Sequence, residues 1–427
     1  MTDVVATNET ILVVGGGISG MTAALEAAEC GKDVVLVEKN PSLGGRVSQL
    51  YKYFPKLCHP TCGLEINLKR LKANKRIRVL TLAEVSAVTG KAGDYTATIK
   101  ISPRFVNENC TACGACAEAV SAEFDNEFNY GLGQRKGAYL TSAMAYPQRY
   151  VLDPRILGTP DAEKAKSACK YNAIDLGMKE ETINFKVGAV VWATGWKPYD
   201  ANKIQPYGYD RYENVITSVE FERLMDPFGP TGGKLIRPSD GKEAKNVAFI
   251  QCAGSRDRNH LKHCSRICCM ASLKQSTYVR EKYADDANVS IYYIDIRAID
   301  RFEDFYKKIQ ADPKVKFIKS KVANITADKD GNPVLHGVDT EGYHRYDNPH
   351  DLVVLAIGME PSVDASKIMK GVAADASGFI DVNATTEAVF GAGCASNALD
   401  VNRSVQSATA GALRAIQVVN RVSRAEA

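Results

Sequence analysis

The 427 residues include no stretch of roughly 18 apolar residues. The longest candidates, residues 187–193 and 352–357, have strand length, so the chain itself is not expected to span a membrane. Nor is there an excess of charge of one sign: 54 Lys plus Arg stand against 50 Asp plus Glu, and a formal +4 offers no face for nucleic acid. Residues 1–9 lack a cationic n-region and the apolar run behind them, residues 11–14, is far shorter than a signal segment, so a cytoplasmic rather than exported chain is expected. Internal repeats and low-complexity tracts are missing. No residue pair reads as acid-base or nucleophilic machinery for a small substrate; His260 and His263 read as surface groups or supports beside the cysteines. What is present is 45% hydrophobic sequence, enough for two or three domains, and twelve cysteines. Reduced thiols clustered at short spacings are more often metal ligands than disulfides.

The N-terminal pattern is a strand at residues 10–14, a glycine turn, a small-residue helix over 21–30 and a second strand at 33–38. The turn, Gly15, Gly16, Gly17, Ile18, Ser19 and Gly20, fits G-x-G-x-x-G directly after a strand. There the backbone can approach a pyrophosphate at a helix N-terminus. Glu38 stands 21 residues past Gly17, placed to accept hydrogen bonds from an adenosine ribose, with Lys39 beside it.

FAD is expected rather than NAD because Gly44, Gly45 and Arg46 follow, and Ala193, Thr194 and Gly195 end a later apolar strand. Both segments resemble motifs of the two-dinucleotide-binding flavoproteins, the Rossmann-like α/β class of glutathione and thioredoxin reductases. In that fold a C-terminal G-D segment covers the flavin phosphates and ribityl chain. Here the matching residues are Gly393 and Cys394, so a thiol replaces the aspartate. The following helix, from about Asn402 and carrying Ser404 and Val405, would aim its N-terminus at the flavin ring and favour negative charge there.

Cys110, Cys113 and Cys116 make three-quarters of the bacterial ferredoxin run C-x2-C-x2-C-x3-C-P, with Val120 at the fourth position. The missing ligand is expected from Cys169, in a segment resembling the second ferredoxin repeat. Four thiolates would hold one 4Fe-4S cluster; a zinc site lacks the second C-x2-C pair. The region around them shows no amphipathic period and reads as an insertion organised by something other than a hydrophobic core. A second set is Cys252, at the end of an apolar strand, with Cys264, Cys268 and Cys269. It lies where a pyridine-nucleotide domain would carry its own glycine fingerprint, and metal ligation suits neighbouring cysteines on a helix better than a disulfide. Cys58 and Cys62 read as a dithiol beside the flavin, supplementary ligands or structural thiols; Cys30 reads as a core residue. The basic run at residues 69–78 reads as a solvated helix face.

Together these residues resemble the heterodisulfide reductase A-subunit family over nearly the whole chain. The carriers are Gly44 to Arg46 with Phe54, Pro55, Cys58 and Cys62, the four cysteines from Cys252 to Cys269, and Gly393 and Cys394 leading to Ser404. The resemblance implies that the second cysteine set holds an unusual 4Fe-4S cluster. Within the family, the short length and single ferredoxin-like set look most like the quinone-interacting membrane-bound oxidoreductases of sulfate-reducing bacteria. That implies a protein held peripherally at the inner face of the cytoplasmic membrane, beside a second flavin and iron-sulfur subunit (QmoB-like) and a haem-containing membrane subunit (QmoC-like). It also implies electron exchange between the menaquinone pool and adenylylsulfate reductase. The division expected is 1–102 and 351–427 for the two parts of the FAD domain, 103–180 for the ferredoxin-like insertion, 181–244 for an FAD-domain strand and linker, and 245–350 for a degenerate NAD-type domain. The competing readings are an NAD(P)H-dependent flavin oxidoreductase, disfavoured by the missing second G-x-G-x-x-G near Val247, and a scaffold whose flavin is structural.

Overall fold

A computed structural model describes residues 8–299, 301–383, 385 and 387–421; residues 1–7, expected to carry no leader, lie outside them. Two short apolar runs, Ile11–Val14 and Val34–Glu38, are buried along their whole length, as strands covered on both faces must be. They lie in a parallel five-stranded sheet ordered Val389–Gly391, Ala189–Trp192, Ile11–Val14, Val34–Glu38, Ile77–Thr81. The N-terminal strand is thus paired with one from mid-chain, so the loops after both share one end of the sheet. Helix α1 (Ile18–Glu29) crosses back over this sheet, and α2 (Thr61–Ala73) carries only the first part of the basic run, Lys69, Arg70 and Lys72, with Lys75 and Arg76 in the turn after it and Arg78 on the strand Ile77–Thr81. That run is solvated as expected, with Arg70 meeting Glu29 at 2.8 Å on the surface. An antiparallel sheet of Ala83–Lys91, Asp94–Ile101 and Glu181–Val187 leads out to the insertion and back.

The insertion holds α3 (Ala115–Ala119), α4 (Pro160–Ala168) and a hairpin of Glu123–Asp125 with Gln134–Lys136. Contrary to expectation it has a small apolar core of its own, in which Phe105, Val106, Val120, Leu152 and Ile156 pack around Cys116. These residues come from separate short segments, so no period in the sequence betrays them.

A second parallel sheet follows, ordered Val215–Thr217, Leu352–Ile357, Asn246–Ala253, Asn288–Tyr293, Val315–Lys319. Its helices are α5 (Ser218–Met225), opened by a Thr217/Glu220 capping box, α6 (Cys268–Tyr283) and α7 (Phe302–Gln310). The C-terminal helix α8 (Val401–Val419) returns to the first sheet, where Ala408, Gly411, Ala412 and Ala415 are its small residues on the side that packs with α1 and the sheet. Small residues let the two helices approach closely. Among the described residues no helix is long and apolar enough to cross a membrane.

Buried charges on α5 join the units. Glu222 accepts from Lys274 on α6 at 2.8 Å, and the same ammonium donates to the carbonyl of Lys52 at 2.6 Å. Arg223 pairs with Asp226 at 2.6 Å and donates to Asn129 of the insertion at 2.8 Å and to the Gln49 carbonyl at 3.3 Å. Each charge is buried but paired, which is the condition for tolerating it.

Candidate functional site

The first strand ends at Gly15, whose φ of +111° is a conformation L side chains rarely adopt. Packing is as demanding as the backbone. A Cβ on Gly20 would lie 1.7 Å from the Gly15 carbonyl oxygen, and one on Gly15 would lie 2.3 Å from that of Ala193. The turn, α1 and the mid-chain strand therefore meet at backbone contact, leaving the first amides of a twelve-residue helix facing open space. Glu38 closes one side: one oxygen accepts from the Gly16 amide at 2.6 Å, the other from the amide and side chain of Asn40 at 2.8 and 2.7 Å. Burial holds its carboxyl above the ordinary range, and the bonds from Asn40 and Gly16 pull it back.

The open space is a cavity of about 750 Å³, with a lining extended enough for a dinucleotide. Gly15, Gly17, Ile18, Ser19, Glu38 and Lys39 line it from the first sheet. Gly45 and Arg46, then Ala193, Thr194 and Gly195, and finally Cys394 and Ser404 complete the residues expected there. Three expected residues stand outside the lining. Gly20 lies under the turn, the Gly393 amide donates to Ser407 at 3.0 Å, and Val405 is half-buried on α8. The Cys394 thiol, where an aspartate was the familiar residue, donates to the Leu399 carbonyl at 3.3 Å, and burial raises its pKa. Helix α8 begins at Val401, and its N-cap Asp400 already accepts from the Arg403 amide at 2.9 Å. Sequence reasoning missed Gln49, Trp196 and, from the insertion, Phe128, Tyr130, Arg135 and Tyr139. Gln49 and Trp196 lie just beyond Arg46 and Gly195, so those motifs could have pointed to them; the insertion residues reach the cavity through tertiary contacts that no motif marks.

Cys110, Cys113, Cys116 and Cys169 line one smaller cavity, together with Tyr150 and Tyr171. Gly114 turns the chain at a φ of +91° so that Cys116 enters α3, while Cys169 ends α4 and accepts from the Ala173 amide at 3.4 Å. Burial and then the neighbouring Cys110 push the Cys116 thiol up to about 11. Among the described residues no three or more His, Cys, Asp or Glu close on one point as a single metal ion requires. The four thiols share this one cavity.

Cys252 ends its strand in a left-handed conformation (φ +57°), and Cys268 and Cys269 open α6. Burial, followed by the charges of Cys252, Cys269 and Cys264, drives the Cys268 thiol well above its usual value; burial pushes Cys269 up to about 11. Arg256 lies 3.9 Å from the Cys252 sulfur and pairs with Asp295. The histidines support the same loop: His263 meets the Met359 carbonyl at 2.8 Å, and His260 meets the Tyr199 hydroxyl at 2.9 Å. Cys58 sits beside the Tyr53 hydroxyl and Cys62 is exposed in the first turn of α2; neither lines the large cavity. Cys30 is not a core residue. It caps the C-terminus of α1 and is exposed, because the alanine face that packs ends before it.

A glycine turn at backbone contact, a carboxylate beside it and a cavity of dinucleotide size define an FAD-dependent oxidoreductase of the two-dinucleotide-binding class. The family model for FAD dependent oxidoreductases matches residues 10–100. Thioredoxin reductases from T. acidophilum and from Lactococcus lactis share the fold, with TM-scores of 0.51 and 0.52 at 14% and 12% identity; each comparison covers 98% of this chain and all of theirs. The chain is a homologue of the heterodisulfide reductase A subunits. It is 38% identical to the second form of the iron-sulfur A subunit of CoB–CoM heterodisulfide reductase from Methanopyrus kandleri over 95% of its length, and 39% identical to the corresponding protein of Methanocaldococcus jannaschii over 97%. It spans 63% and 65% of those two proteins.

Proposed function

We propose that this chain is an electron-relaying subunit that holds FAD and two 4Fe-4S clusters. The observation that carries the reading is the second parallel sheet. At the strand end where a pyridine-nucleotide half would bear its glycine turn, this chain has Cys252, then a loop carrying Cys264 and a helix opened by Cys268 and Cys269. Bound flavin exchanges electrons in pairs or singly, and a cluster exchanges them singly. The residues suit those groups. The amides of α1 and the Gly15 turn would hold the pyrophosphate, Glu38 the adenosine ribose, and Arg46 and the residues from Ala193 to Gly195 the flavin half. Cys110, Cys113, Cys116 and Cys169 would hold one cluster and Cys252, Cys264, Cys268 and Cys269 the other. Burial keeps Cys116 and Cys268 protonated on their own, and iron supplies the positive charge that lets such thiols ionise.

The finer reading is a protein like the A subunit of quinone-interacting membrane-bound oxidoreductase, relaying electrons between the menaquinone pool and adenylylsulfate reductase. Its partners would be a second flavin and iron-sulfur subunit plus a haem-containing membrane subunit, all gathered at the inner face of the cytoplasmic membrane. The single ferredoxin-like set, with Val120 where a further ligand would stand, supports it; the names of the relatives, which are subunits of reductases, support partner subunits but not these particular ones. The test is the iron, sulfide and flavin content of anaerobically purified chain, with EPR after reduction. About eight irons and one FAD are expected. Mixing with NADH or NADPH should leave the flavin oxidised; rapid bleaching by either would favour a self-contained pyridine-nucleotide oxidoreductase.

A further inference from the structure

Part of the wall of the large cavity comes from the inserted unit, at the tip of the hairpin spanning residues 123–136. Tyr130 stands there in a left-handed conformation (φ +59°), uncommon and strained for a bulky residue and most often maintained where surrounding contacts over-determine it. Those contacts are present. Its hydroxyl accepts from the Arg46 guanidinium at 2.9 Å and donates to Gln49 at 3.0 Å. Arg46 in turn donates to the Trp196 carbonyl at 2.6 Å and lies within 5.5 Å of the Tyr130 ring and 5.1 Å of the Trp196 ring, in range of both π faces. From behind, Arg223 holds Asn129 and the Gln49 carbonyl.

The root of the same hairpin is tied to the small cysteine cavity. The amides of Ser121 and Ala122 donate to Asp161 in the first turn of α4 at 2.9 and 2.7 Å, and the residue that ends α4 is Cys169. The hairpin tip lines the nucleotide cavity; its root follows directly on α3, which carries Cys116, and is tied to the start of α4, whose far end meets Cys169. We propose that Tyr130 is a positioning residue for the bound flavin and that, through its hairpin, the nucleotide cavity and the cavity of Cys110, Cys113, Cys116 and Cys169 are linked. Loading either one strengthens the other, and by reciprocity dismantling either weakens the other by the same factor. The inference rests on the assignment of FAD and a cluster to these two cavities.

Flavin affinity is read by fluorescence quenching on flavin-stripped chain, and iron content is read separately. Tyr130→Ala should weaken FAD binding by about tenfold, within the usual range of such couplings, and should lower iron retention at the insertion. Tyr130→Phe, which keeps the ring and the backbone but loses the Arg46 bond, should fold normally, shift the bound flavin's visible absorbance and midpoint potential, and weaken binding by less. Cys113→Ser, at an exposed ligand position, should lower iron at the insertion and weaken FAD binding; Cys30→Ser should change neither. An unshifted flavin spectrum and potential in Tyr130→Phe would overturn the positioning role. Unchanged FAD affinity in Cys113→Ser, with iron present in the parent chain, would overturn the linkage alone. A parent chain without iron would overturn the linkage together with the relay reading, so the two failures are distinguishable.

Discussion

The two parallel sheets are built alike and end differently. In the first, residues 15–17 are all that separate the strand Ile11–Val14 from α1, so the helix amides stand directly at the strand end. In the second, residues 254–267 intervene between Asn246–Ala253 and α6, and the helix starts with two cysteines. A tight turn presents backbone donors to an anion; a long loop carries side chains to one another. The same architecture thus yields an anion-binding end in one half and a thiol-lined end in the other, and loop length decides which.

The largest effect that would sharpen this contrast comes from substituting one end at a time. Gly20→Val puts a Cβ inside contact distance of the Gly15 oxygen, so purified protein should lose FAD by more than about a hundredfold in affinity while iron at the second sheet stays. Cys268→Ser should do the reverse, lowering iron per chain with FAD retained. Loss of both cofactors from either variant would break the contrast.

Next in size is the clamp between halves. Lys274→Met leaves Glu222 buried without its ammonium and the Lys52 carbonyl without that donor, and chemical denaturation should show a loss of about 3–5 kcal/mol. Below that is a pH effect confined to the second half. Burial lowers the His350 imidazole from 6.5 to about 4, between the Tyr292 hydroxyl and Asn246. A depressed folded value means the unfolded chain binds the proton more readily. Its contribution is full above pH 6.5 and falls away between 6.5 and 4, about 3 kcal/mol in all. His350→Gln should flatten that part of the stability profile. Arg70→Ala, which breaks a surface pair with Glu29 and a contact with Asn67, should move stability by under about 1 kcal/mol.

Much of the first half was readable from the sequence, because its chemistry is contiguous. A glycine turn between a strand and a helix, with an acidic residue at the next strand end, needs only local spacing to recognise. The cysteine triplet was readable for the same reason. The boundaries of Ile11–Val14 and Val34–Glu38 fell within a residue of expectation, since fully buried parallel strands are unbroken apolar runs. Cys30 misled because composition reports an alanine-rich helix without reporting which residue lies past its packed face.

The sequence by itself determined the nucleotide turn, the acidic residue at its side and the presence of thiols in the second half, since each depends on residue type at short range. Only the tertiary structure decided that Tyr130 walls the large cavity, that Arg223 ties three segments together and that Cys110, Cys113, Cys116 and Cys169 share one cavity. These are meetings of residues far apart in the chain, set by how sheets and an inserted hairpin pack, and no local period records them.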